Sequence, residues 1–274
     1  MTSPTSTSPN SRPAGRILVV MSSERLLPLQ GGKMHPTGYF LNEFGVPAKR
    51  LVDAGYELVL ATPRGNIPAL DASSDHEMFF KDKAEHEQIK EFVNHFLTTA
   101  RIQTTQDAAK AGMAGYDALF LPGGHAPMID LMSDPGLGQL LAECHATAKP
   151  TALICHAPTA LLAAQADAQG YQKAVEAGEK PAARAFVYDG YRATVYSNAE
   201  ETMTEKTFEA KELYYPADAL TQAGLKIENG TPMKSFVVRD RELLTGQNPF
   251  SDSDFVEQLL EMLGRQGAET RSQA

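Results

Sequence analysis

The chain has 274 residues, of which 42% are hydrophobic and 22% charged, and a formal charge of −9. That length suits one large α/β domain with a substantial core, and the absence of any Lys/Arg stripe argues against nucleic acid or an anionic membrane as partner. No apolar run reaches the roughly 18 residues of a membrane helix, and two cysteines make neither a disulfide framework nor a metal motif, so a reduced, cytoplasmic compartment is expected.

Residues 1–15 are mostly Ser, Thr and Pro without an apolar signal region, and read as a disordered tail. The run Ile17 to Met21 is a buried strand, followed by a Gly- and Pro-rich loop from Ser22 to Thr37. Tyr39 to Ala54 then reads as a helix ending at Gly55, and Tyr56 to Ala61 as the second strand. This strand–helix–strand rhythm predicts a mostly parallel sheet with helices on both faces. From about residue 64 to 115 the rhythm breaks, and the segment reads as a small cap insertion containing a polar helix from Asp82 to His95. The core resumes with the strand Ala118 to Leu121, the helix Pro135 to Thr147 and the strand Thr151 to Ile154, with Thr159 to Ala166 helical. Phe186–Tyr188 and Ala193–Tyr196 read as a hairpin around Asp189-Gly190, and Pro216 to Ala223 as a helix. Lys234–Val238 and Glu242–Thr245 read as the last strands, and Asp252 to Leu263 as the closing helix. The single domain spans 16–264, with a flexible tail over 265–274.

Three stretches carry chemistry. At Ala152-Leu153-Ile154-Cys155-His156-Ala157-Pro158 an apolar strand stops at a cysteine and turns into a helix, which is the pattern of a nucleophile elbow. A helix N-terminus aimed at the sulfur would favour the thiolate. A buried, inert cysteine at a strand end is the competing reading. Cys144-His145 is an internal control, since the same dipeptide lies inside a helix with no strand before it and reads as structural. The second stretch, Pro122-Gly123-Gly124-His125, follows a buried strand, and its glycines can turn backbone N–H groups towards a ligand. The third carries Glu43 on the first helix, where periodicity alone would make it a solvated side chain. His76, His86 and His95 have no metal-ligand spacing and read as surface residues.

Glu43, the Pro-Gly-Gly-His turn and the Cys-His-Ala-Pro elbow together resemble the ThiJ/PfpI superfamily, with its amidotransferase-like, flavodoxin-type doubly wound fold. The loop Lys33 to Gly38, the cap and Leu244-Thr245-Gly246-Gln247-Asn248-Pro249 resemble its heat-shock glyoxalase III branch. The resemblance implies Cys155 as nucleophile, His156 as its partner and Glu43 as a hydrogen-bonding neighbour of the sulfur. An acid that orients the histidine would be Glu201, with Glu200 as the alternative. Gly123, Gly124 and Ala157 would form the oxyanion and substrate surface, where Ala157 replaces the family's frequent glycine and adds a methyl beside the pocket. The implied activity is glutathione-independent conversion of methylglyoxal or glyoxal to a hydroxy acid, without a cofactor or metal, in a homodimer. A holdase chaperone, a protein deglycase, a thiol peptidase or amidase, and a redox sensor are the alternatives.

Overall fold

The computed structural model describes residues 13–182 and 184–272, the last eight by backbone alone, so the predicted N-terminal tail lies almost wholly outside the described residues. In chain order the elements are β1 (Gly15–Val20), β2 (Leu26–Pro28), β3 (Met34–Pro36), α1 (Leu41–Asp53), β4 (Tyr56–Thr62), α2 (Lys83–Thr99), β5 (Ile102–Thr104) and α3 (Thr105–Ala111). They continue with β6 (Ala118–Leu121), α4 (Pro135–Ala146), β7 (Thr151–Ile154), a 3-10 helix (Ala157–Ala164), α5 (Ala168–Glu176) and β8 (Arg192–Ala193). The last are α6 (Asn198–Phe208), α7 (Pro216–Gln222), β9 (Lys226–Ile227), β10 (Val237–Asp240), β11 (Leu243–Gly246) and α8 (Asp252–Ser272).

Seven strands form one sheet in the order β10-β11-β7-β6-β1-β4-β5, and only the β10–β11 pair is antiparallel. The central strands are continuous apolar runs because both faces are covered. Leu18, Val20, Leu119 and Leu153 pack into one core with α4 residues such as Leu140, whereas Ile17, Val19, Phe120 and Ile154 pack on the other face with Phe44, Val93 and Phe255. The chain reverses its winding between β1 and β6, and the carboxyl ends of β6 and β7 open into the crevice that such reversals create.

Four local expectations are corrected. The cap does not extend to residue 115: Ile102–Thr104 pairs with Leu60–Thr62 as the sheet edge, and α3 packs on α4. A three-residue strand is too short to show the alternation that would mark it. The hairpin around Asp189-Gly190 is absent, although Gly190 does turn (φ 75°); Arg192–Ala193 pairs in parallel with β9, and Phe186 bridges to Gln165. The loop after β1 contains the small antiparallel pair β2–β3. The final helix runs on to Ser272, through residues expected to form a tail.

Candidate active site

β7 is buried at all four positions, and its polypeptide turns sharply at Cys155, whose φ of 63° lies in the left-handed region. A non-glycine residue adopts that conformation only when its surroundings enforce it. Here the Cys155 N–H donates to the Gly246 carbonyl at 2.8 Å, and the Cys155 carbonyl accepts from the Tyr196 N–H at 3.0 Å. The elbow is therefore held by main chain on both sides. It opens into a cavity of about 330 Å3 whose walls include Phe40, Phe79, Tyr196 and Phe208 beside Cys155 and His156. Cys144, by contrast, is fully buried inside α4, and burial pushes its thiol up to about 12.

The paired glycines after β6 meet this elbow from the neighbouring strand. A Cβ on Gly123 would lie 2.5 Å from Cys155 Cβ and 2.5 Å from Glu43 Oε2, so only hydrogen fits between the two functional groups. Gly124 has a φ of +90°, and a Cβ there would lie 2.1 Å from the Gly38 carbonyl. Its N–H faces both Cys155 and Glu43 and lowers the pKa of each. Ala157 is placed differently from expectation. Its side chain is fully buried in the core with Leu131 and Leu161 and lines no part of the cavity.

Glu43 is fully buried at the start of α1, not solvated. Burial pushes its carboxyl up to about 8, against the opposing pull of Cys155, His125 and the Gly124 N–H. Neither carboxylate oxygen has a hydrogen bond of normal geometry, which is why burial prevails. The carboxyl therefore carries a proton at neutral pH. Cys155 differs from the sequence expectation of a depressed thiol. Burial, with Glu43 alongside, raises it well above the ordinary cysteine value, and the helix that follows is a 3-10 helix. His156 moves the other way: burial and the adjacent His125 lower it well below its usual value, so the imidazole is neutral. Its Nδ1 stands 3.1 Å from Cys155 Sγ. A protonated thiol thus faces a neutral base.

Glu201 is the acid that meets this histidine, with Oε1 3.1 Å from His156 Nε2. Glu200 is occupied elsewhere. It closes a capping box with Ser197 at the start of α6, and its two oxygens also accept from the Met233 N–H and from the side chains of Gln247 and Asn248. The segment Gln247-Asn248 therefore secures the capping acid, leaving Glu201 to face His156 and His125. The sequence reading missed the helix α6, and the Ser-x-x-Glu pattern at Ser197 is the local signal that could have found both it and the capping role of Glu200.

Sequence reasoning missed two residues of the cluster. His125 packs against His156 with ring centroids 3.8 Å apart and planes tilted by 37°, and its Nε2 lies 3.8 Å from Glu201 Oε2 and 3.3 Å from Glu212 Oε1. Burial would lower His125, but the two carboxylates outweigh it and raise the imidazole to about 10. Glu212, in the irregular stretch between α6 and α7, is raised by burial to about 7. Together His125, His156, Glu201 and Glu212 form a buried set of four groups able to hold a metal ion, where no metal site was expected.

A profile of the DJ-1/PfpI family matches residues 37–262, which include every residue of this site. The chain belongs to the DJ-1/PfpI family. Among family relatives, protein/nucleic acid deglycase HchA of Pseudomonas aeruginosa is 27% identical over 246 residues, covering 87% of this chain and 77% of the relative. The same-named protein of Staphylococcus aureus is 25% identical over 242 residues, covering 87% and 76%. In three dimensions the chain is similar to glyoxalase III of Candida albicans, with a TM-score of 0.68 at 20% identity, covering 90% of this chain and 97% of that one. This last likeness is one of fold. No helix among the described residues is long and apolar enough to cross a membrane.

Proposed function

We propose that the protein is a glutathione-independent enzyme of the glyoxalase III type, converting methylglyoxal and water to lactate. The observation that carries the reading is the contact of Cys155 Sγ with His156 Nδ1 at 3.1 Å, at the floor of a small cavity. As Sγ attacks the aldehyde carbon, the thiol proton passes to the neutral Nδ1, so no preformed thiolate is needed. The Gly124 N–H, which already faces the sulfur, is positioned to receive the developing oxyanion. The imidazolium returns that proton to the oxyanion, and the neutral hemithioacetal isomerises when a base moves the carbon-bound proton to the neighbouring carbon while the hydroxyl proton passes to the former ketone oxygen. His156, held against Glu201, is the group in reach of the sulfur for that transfer. Water then cleaves the lactoyl thioester and restores the thiol, leaving the protein unchanged in redox state.

Protonated Glu43 supports the first step by facing the sulfur as a donor rather than as a second negative charge. The cavity volume is at the small end for ligand sites, which suits an oxoaldehyde better than a peptide. A deglycase reading shares the chemistry and is favoured by one further observation. Met203 lines the cavity and is about half exposed, so an adduct presented on a side chain or base has an open approach.

The test is lactate formation from methylglyoxal without glutathione, run beside release of lactate from a glycated peptide. Turnover that survives Cys155→Ala overturns the mechanism, and no turnover of either substrate overturns the assignment. Suppression of protein aggregation that persists in Cys155→Ala, with no turnover, identifies the chaperone alternative.

A further inference from the structure

The cluster behind the catalytic histidine has the composition and spacing of a metal site. Its members come from three places in the fold. His125 follows the glycine turn after β6, His156 follows the elbow, and Glu201 and Glu212 lie on α6 and on the stretch after it. Exposure is 8% for His125, 1% for His156, 0% for Glu201 and 2% for Glu212. His125 Nε2, His156 Nε2 and both oxygens of each glutamate are buried, and they meet one another at ion-pair distances without a hydrogen bond of normal geometry. Buried polar atoms in such number are costly unless something else satisfies them.

The distances say what would. Zinc bonds of about 2.0–2.2 Å to nitrogen and oxygen put neighbouring ligand atoms of a tetrahedron about 3.3–3.5 Å apart. The three contacts along the cluster are 3.1 Å (His156 to Glu201), 3.3 Å (His125 to Glu212) and 3.8 Å (His125 to Glu201). One ligand atom from each of the four residues can be chosen so that all lie within 4.8 Å of one another. Two imidazoles and two carboxylates suit a borderline divalent ion, and two negative charges neutralise it. Behind the cluster, His156 keeps Nδ1 directed at Cys155 Sγ, the outer contact that fixes the tautomer of a ligating histidine.

We propose that His125, His156, Glu201 and Glu212 form a binding site for a zinc-class divalent ion, and that filling it switches the enzyme off. A histidine bound through Nε2 carries its proton on Nδ1 and cannot accept one from the thiol. The inhibitory half rests on the function proposed above; the binding half does not.

Cobalt(II) is the probe, added to chelator-treated full-length protein. The expected result is intense tetrahedral ligand-field absorption that saturates at one ion per chain and is displaced by zinc. Glu212→Gln, verified as folded by circular dichroism and by unchanged Cys155 alkylation, should bind more than about tenfold more weakly. Absence of the absorption, or equal binding by Glu212→Gln, overturns the site and assigns the cluster to a protonated His125 between two carboxylates. Where the apo protein turns over methylglyoxal, stoichiometric zinc should abolish the activity and a chelator restore it. Full activity with the site filled overturns the switch while leaving the site standing.

Discussion

Replacing Glu43 by Gln removes a carboxyl whose ionisation the fold opposes, and the effect can be worked out in advance. The group titrates near its ordinary value of 4.5 in the unfolded chain and at about 8 in the folded protein. Between those values the native state holds a proton that the unfolded state has lost, so stability falls as pH rises, by about 1.4 kcal/mol per unit at full slope. Over the whole window the loss approaches about 5 kcal/mol, fully present above pH ~8 and absent below pH ~4.5. Glu43→Gln has nothing to ionise there. Urea unfolding of both proteins at intervals from pH 5 to pH 8.5 should show wild type weakening relative to the variant as pH rises. Above pH ~8, where Glu43 is ionised and its charge helps raise the thiol, the variant should alkylate more readily than wild type. Parallel stability profiles would refute the reasoning, since they would mean that Glu43 is ionised in the folded protein at neutral pH.

Three other outcomes follow from the site. Glu201→Gln should lower turnover at least tenfold with little loss of stability, whereas Glu200→Gln should lose about 2–4 kcal/mol, because an amide nitrogen then faces donors of the capping network; thermal melts and lactate assays separate the two. Gly123→Ala forces a methyl against Cys155 and Glu43, and should cost about 1–3 kcal/mol and most of the activity, read in the same assays. Mild alkylation followed by mass spectrometry should label Cys155, which lines the cavity, and leave Cys144 unmodified until the protein unfolds.

What could be read from the sequence divides along physical lines. The elbow at Cys155 was visible because an apolar strand ending at a nucleophile is a local pattern, and Cys144 showed that the dipeptide alone is not the signal. The doubly wound sheet was visible for the same reason, from runs such as Ile17–Val20 and Thr151–Ile154 that only a strand covered on both faces requires. Glu43 was harder, because helical periodicity places it without saying that α8 and the glycine turn will bury it. His125 and Glu212 were illegible as partners. Eighty-six residues and several crossovers separate them, and the contact exists only once the turn after β6 is folded against the stretch after α6. Ala157 shows the opposite error: adjacency to the nucleophile suggested the pocket, but the turn of the 3-10 helix sends its methyl into the opposite core. The raised thiol has the same root, since helix-terminus reasoning counts the local dipole and not the low-dielectric surroundings that the tertiary fold imposes.

The left-handed backbone at Cys155 has one more consequence. The strand partner at Gly246 and the chain at Tyr196 hold the turn through main-chain bonds that any residue except proline could make. The conformation therefore survives loss of the sulfur, and what an L side chain adds there is strain of about 1 kcal/mol or more. A glycine at this position would relieve it. Cys155→Gly should then be inert towards methylglyoxal and yet unfold no more easily than Cys155→Ala, even though it deletes the last atom of a buried side chain. The resting protein sits above its own conformational minimum at the residue proposed as nucleophile, and the main-chain bonds to Gly246 and Tyr196 hold it there.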